Sequence, residues 1–285
     1  ITSEMTSFYG TSSTPLLKLF SLEKLSSPSI GKQHYLYNDA HLFSLNDLSV
    51  LKKGFTLTSN LHFMMDRNRK NGSYRQTIYD SNNGDLLITE EVSSVLLNRE
   101  LSSTITLEKN EKDCYMNNRT DVNMAWNQQD CTVASDNSMS QIAKLPSFCI
   151  ENKFTYNTAK GRWTSHIQYS LQNNALKVTP VLLDDLSNID DTAIQQVRYG
   201  QSGADLRYYR NIRLSKYSSL ELNLRPFLKQ KNFVSGFSLG EEDSPILVDS
   251  LRNNIARTEL GADVSGGIRY KKRSLNAFFN VSAQY

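Results

Sequence analysis

Successive stretches of this chain alternate apolar and polar residues with a period of two. The clearest run sets Leu275, Ala277, Phe279, Val281, Ala283 and Tyr285 against Ser274, Asn276, Phe278, Asn280, Ser282 and Gln284. Another sets Phe55, Leu57, Ser59, Leu61, Phe63 and Met65 against Thr56, Thr58, Asn60 and His62. A β-strand turns successive side chains to opposite faces, so each run predicts a strand with one apolar and one polar face. The pattern places ten strands, at about 34–45, 54–66, 99–109, 114–126, 147–157, 162–171, 204–213, 217–226, 257–270 and 274–285. Residues 1–33 are rich in Ser and Thr without a sustained period and read as loop.

Ten apolar faces must meet either a second sheet or lipid, and the connections bear on which. Short ones at 46–53, 110–113, 157–161, 214–216 and 271–273 alternate with long ones at 67–98, 127–146, 172–203 and 227–256. In an up-and-down membrane barrel the short turns are periplasmic and the long loops extracellular. A Greek-key sandwich has no reason to alternate so regularly. The expected fold is therefore all-β, an antiparallel up-and-down transmembrane β-barrel over 34–285 in a bacterial outer membrane, with lipid against its apolar face. A soluble β-sandwich that binds carbohydrate or protein is the alternative.

The aromatic residues agree with the barrel. Phe55, Tyr156, Trp163 and Tyr270 fall on apolar faces beside short turns, and Trp126, Phe148, Tyr169 and Tyr285 beside the long-loop ends. Two such rows are what interfacial girdles look like, although cross-strand aromatic pairing gives similar rows. The opposite faces carry Arg119, Asp121, Glu151, Lys153, Glu221, Arg225, Arg257, Glu259, Asp263 and Arg269, a mixture that a lumen or a solvated surface tolerates. Two features run against the barrel: Arg210 falls in an apolar phase, and strand 34–45 has apolar residues on both faces. With the turn at 271–273 periplasmic, the last strand runs outward and Tyr285 lies at the outer rim. That direction leads us to expect the ten strands to be part of a larger barrel.

Composition narrows the classes. The chain has 285 residues, a net charge of +3 and a mean hydropathy of −0.48. Near-balanced charge gives no basis for a nucleic-acid partner. No apolar run reaches about 18 residues, which excludes a membrane-spanning helix but not a barrel, whose strands need only about 10 residues each. No basic-then-apolar signal segment opens the chain, so Ile1 reads as the start of a mature or excerpted chain.

The stretch Thr14-Pro15-Leu16-Leu17 through Ala40-His41-Leu42-Phe43-Ser44-Leu45-Asn46-Asp47-Leu48, followed by Leu51-Lys52-Lys53-Gly54-Phe55-Thr56-Leu57, resembles the mid-barrel of Bacteroidota outer-membrane proteins of the TonB-dependent-receptor-like kind. These often carry a carboxypeptidase-like regulatory domain ahead of a plug and a large barrel. The resemblance is one of texture over most of the chain, sharpest at 35–66. It implies a 22-stranded type of barrel, of which this chain would be somewhat under half. It also implies nutrient uptake or a scaffold role in a surface complex, with a TonB-type coupling protein and surface lipoproteins as partners. A structural or assembly subunit of an outer-membrane complex, without transport, is the alternative on the same barrel. The family's plug and TonB-contacting segment have no counterpart in these residues.

Motifs for chemistry are few. Gly236-Phe237-Ser238-Leu239-Gly240 matches a nucleophile elbow, which needs a strand before it, a helix after it and a later His. No His follows His166, and Glu241-Glu242-Asp243-Ser244-Pro245 is a poor helix start. His34, His41, His62 and His166 stand singly, and Ser165 and His166, as strand neighbours, face opposite ways. Asp184-Asp185 with Asp190-Asp191 lacks the order of a calcium loop and reads as a solvated acidic loop. Arg67–Lys70 and Lys271–Arg273 read as solvated loop ends, and Asn71, Asn118 and Asn280 begin glycosylation-like triplets. Cys114, Cys131 and Cys149 fit no zinc spacing; a Cys114–Cys131 disulfide and three free thiols both stand open. The sequence thus supports no catalytic, cofactor or metal residue, and it reads as non-enzymatic.

Overall fold

A computed structural model describes residues 37–78, 86–134, 138–179, 192–240, 246–247, 251–272 and 275–284. They form one antiparallel sheet in which ten long strands follow chain order. These are β1 (Tyr37–Val50), β2 (Phe55–Ile78), β3 (Leu86–Glu111), β4 (Cys114–Ala134), β5 (Met139–Thr158), β6 (Gly161–Thr179), β7 (Thr192–Arg213), β8 (Ser218–Gly240), β10 (Asn253–Lys272) and β11 (Leu275–Gln284). The two-residue β9 (Ile246–Leu247) pairs with the end of β8. The first and last strands are not paired with each other, so the sheet is open. Among the described residues no second sheet packs on either face. The fold is the expected up-and-down, all-β meander.

Each predicted strand lies within one of these ten, apart from its outermost residues, and the short turns at 110–113, 157–161 and 214–216 fall where expected. That at 46–53 narrows because β1 runs on to Val50, and Lys271 and Lys272, expected in a turn, belong to β10. Residues 51–54 join β1 to β2 through a 3-10 turn in which Lys53 and Gly54 take φ of 62° and 72°. Gly54 adopts that left-handed conformation without a Cβ penalty. The turn before β8 is closed by Ser215, whose Oγ accepts from the backbone N–H of Tyr217 at 3.1 Å and of Ser218 at 3.0 Å.

The long connections need correction. Much of 67–98, 127–146, 172–203 and 227–256 is strand: β2 continues to Ile78, β4 to Ala134, β6 to Thr179 and β8 to Gly240. The strands β2 to β8 run 19 to 26 residues, about twice what a bilayer crossing needs. What remains of those connections, like the loop expected at 1–33, lies largely outside the described residues, as does Tyr285.

Pairing fixes which residues share a face, because directly opposed residues on neighbouring strands point the same way. Val122 opposes Ser103 and Ile150, Ile150 opposes Tyr169, and Leu206 opposes Ser165. Continued across the sheet, the register puts every apolar row read from the sequence on one face. We call this face convex. The other, which carries His166, Asp205 and Arg225, is concave, and a hollow spanning β6 to β10 opens on it.

The offset between each pair of long strands stays constant from end to end. Where pairing lapses, a cause is at hand. Pro146 interrupts β5–β6 and Pro226 interrupts β7–β8, because proline has no N–H to give the ladder. Between β3 and β4, the backbone N–H of Arg99 turns instead to Oδ1 of Asn127, at 3.1 Å.

Polarity changes along each strand as well as across it. Near the short turns the convex face is apolar: Met116, Val122, Met124 and Trp126 on β4, Trp163, Ile167, Tyr169 and Leu171 on β6, Leu220, Leu222, Leu224 and Leu228 on β8. Farther along it becomes polar and exposed: Arg67 and Arg69 on β2, Asp130 and Thr132 on β4, Asn173 on β6, Gln230 and Asn232 on β8. There the concave face turns apolar instead. Val92, Cys131 and Val133 are buried with Met139 against them, and Leu145 and Val197 are buried with Leu176 and Phe233. The exchange falls between Met65 and Arg67, Trp126 and Gln128, Leu171 and Asn173, and Leu228 and Gln230, with Val95 and Leu97 reaching a little past it on β3.

Candidate functional site

The half of the sheet nearest the short turns is inside-out. Its convex apolar residues are exposed, Leu260 to 80% and Ile167 to 55%, while the concave face buries Arg225 to 6% and His166 to 8%. An isolated buried charge is costly, so those on the concave face are held in pairs.

The pairs form a ladder across five strands. Lys153 Nζ lies 2.9 Å from Glu151 Oε1, which also meets His166 Nε2 at 2.6 Å. The other ring nitrogen of His166 faces Asp205 Oδ2 at 3.5 Å. Arg225 then joins Asp205, at 3.1 Å through Nε, to Asp263, at 3.6 Å through Nη1. Alternation puts these groups on one face, since residues 151 and 153, 166, 205, 225 and 263 all occupy the concave phase of their strands, and the register brings them level. A neighbouring group binds Arg119 Nε to Asp121 Oδ2 at 2.8 Å, while Thr104 Oγ1 donates to Asp121 Oδ1 at 2.6 Å. Three carboxylates thus face Lys153, Arg225 and the imidazole of His166, an arrangement that braces strands and keeps the wall polar.

The convex face carries its aromatics near the ends of its apolar band. Trp163 packs on Tyr208 with ring centroids 4.3 Å apart, and Lys109 Nζ stands 5.3 Å over the ring of Phe55. At the distal edge Phe148 and Tyr169 lie 6.2 Å apart, near Trp126. The band runs from Met116 to Trp126 on β4 and from Trp163 to Leu171 on β6. Those ten and eight residue steps span about 27–34 Å along a strand, or about 21–26 Å of height at a tilt of about 40°.

The motifs for chemistry find no supporting geometry. Residues 236–240 are strand, paired to β7, and Ser238 Oγ donates to the carbonyl of Ile194 at 3.4 Å. Leu239 and Gly240, where an elbow would turn from strand to helix, continue the strand. Ser165 and His166 do face opposite ways. His62 Nδ1 meets Ser44 Oγ at 3.0 Å and His41 Nε2 meets Asp39 Oδ1 at 3.2 Å, both in exposed positions. Among the described residues no group of His, Cys, Asp and Glu gathers at a metal position. Arg67–Lys70 lies within β2 and not in a loop, and Asn118 lies within β4, where its Oδ1 accepts from Asn152 Nδ2 at 2.7 Å. His34, the Asp184–Asp191 cluster and the acidic stretch after Gly240 fall outside the described residues.

The open question about the cysteines resolves against the bridge: none of the three is in a disulfide. Cys114 and Cys131 stand at opposite ends of β4 on opposite faces, about 56 Å apart at about 3.3 Å per residue, and cannot bridge. The ladder itself had a legible signal, charges in the polar phase of β4 to β10. Only the register shows which of them meet. Compared with known protein families and curated proteins, the chain matches no family model and no curated sequence.

Proposed function

We propose that this chain is part of the wall of an outer-membrane β-barrel of the TonB-dependent-receptor type, serving nutrient uptake or acting as a scaffold within a surface complex. The observation that carries the reading is the inverted half-sheet: an exposed apolar band about as tall as a bilayer's hydrocarbon, edged by aromatics, backed by paired charges. Lipid is the partner such a band fits, and the charged concave wall suits a lumen. The distal strand segments, polar outside and apolar inside, suit hairpins that stand out into water. Open edges at β1 and β11 call for neighbouring strands. Arg210, on the convex face, stands three positions from the Arg213 end of β7, near enough to the rim to reach water.

Membrane fractionation is the first test, and recovery in the aqueous phase without detergent would sink the proposal. The chain's two tryptophans sharpen it, since Trp126 and Trp163 sit at opposite edges of the band. In vesicles of lipids brominated near the headgroups, both single-tryptophan variants (Trp126→Phe and Trp163→Phe) should be quenched more than with bromines at the chain ends. Quenching of neither would remove lipid as the band's partner.

A further inference from the structure

The concave wall near the short turns holds a hollow of about 610 Å³ across β6, β7, β8 and β10. Its charge differs from that of the ladder beside it. The one carboxylate in its lining, Glu221, is 3.0 Å from Arg269 Nη2. Arg162 and Arg207, also in the lining, have no carboxylate partner among the described residues. Tyr209 opposes Arg162 in the register, and Arg207 is two residues from Tyr209 on the same face. The two arginines are therefore diagonal neighbours, with backbones about 7–8 Å apart and side chains long enough to converge. Asn223 Nδ2 donates to Ser265 Oγ at 3.3 Å and keeps its second N–H for a guest, and Gly267 leaves the floor open.

Arg162 and Arg207 are exposed, so two unmatched guanidiniums on diagonal neighbours of one hollow repel each other modestly through water. Every charge of the ladder, by contrast, has its counter-charge. A guest that supplies the missing negative charge removes the conflict. Guanidinium forks match the paired oxygens of phosphate and carboxylate. The hollow is larger than a bare anion needs and falls within the range of small-molecule sites. We propose that it binds a small organic molecule bearing a multivalent oxyanion, a phosphate ester or a di- or tricarboxylate, through Arg162 and Arg207. The site stands on the concave face whichever solvent wets the convex one, so its test is separate from that of the barrel reading.

Calorimetric titration of the full-length protein in non-ionic detergent, with inorganic phosphate and with citrate, tests this. Saturable binding of at least one probe is expected, the preferred one identifying the class of oxyanion. Arg162→Gln and Arg207→Gln should each weaken it roughly tenfold or more, and Lys144→Gln, on the convex face of the distal half, should leave it unchanged. Arg162→Lys, which keeps the charge and loses the fork, should fall between and guards against loss of fold in the Gln variants, monitored by circular dichroism. Failure of both probes to bind, or Gln variants that bind like the wild type, would overturn the proposal.

Discussion

The turn-proximal and distal halves of this sheet are built from the same strands in the same register, yet they hide opposite things. Near the short turns, charges are buried on the concave face and leucines stand exposed on the convex one. Beyond the line through Trp126, Leu171 and Leu228, valines are buried on the concave face and arginines stand on the convex one. Backbone geometry does not distinguish the halves, since the pairing offset is unchanged across the line. What differs is which face carries the apolar side chains. Under the proposed barrel, polarity, and not strand length, marks where lipid gives way to water.

The comparison can be broken at several points. The largest effect is expected from Arg225→Met, which leaves the half-buried Asp205 and Asp263 without their shared cation. A loss of about 3–5 kcal/mol should appear as a lower urea midpoint in lipid vesicles. A loss below about 1 kcal/mol would mean that water already screens the ladder. Next comes a matched pair on the convex face. Ile167→Arg, at the middle of the band, should cost about 2–4 kcal/mol in a bilayer, whereas Thr132→Arg in the distal half should change stability by about 0.5 kcal/mol or less. Equal effects would erase the distinction between the two surfaces. The mildest of the disruptive changes is Leu145→Ala, which opens space beside Val197, Leu176 and Phe233. About 2 kcal/mol should be lost, and the loss should not vary with lipid chain length because this cluster stands clear of the band.

Strand positions were legible because turn-proximal alternation is strong and the turns are short. The boundaries at Phe55, Cys114 and Gly161 follow directly from where Leu57, Met116 and Trp163 enter phase. The distal halves were not legible in the same way. In β4 the run Asn127-Gln128-Gln129-Asp130 interrupts the apolar row, and when apolar residues return, at Cys131 and Val133, they do so in the opposite phase. A search for a continuing apolar face stops there and reads loop. The alternation had only changed sides. The ladder and the hollow depend on long-range register, and nothing in the spacing of Glu151, His166, Asp205 and Arg225 says that they meet.

The unchanging offset between strands limits how this chain can vary. One residue inserted within any long strand would turn every side chain between it and the next hairpin tip to the wrong face, sending leucines to the concave face and the ladder's charges to the convex one. Two residues would preserve the faces but slide the ladder out of alignment. Changes in length are therefore best absorbed at the hairpin tips, and among homologues the strand interiors should differ by substitution while the tips differ by insertion.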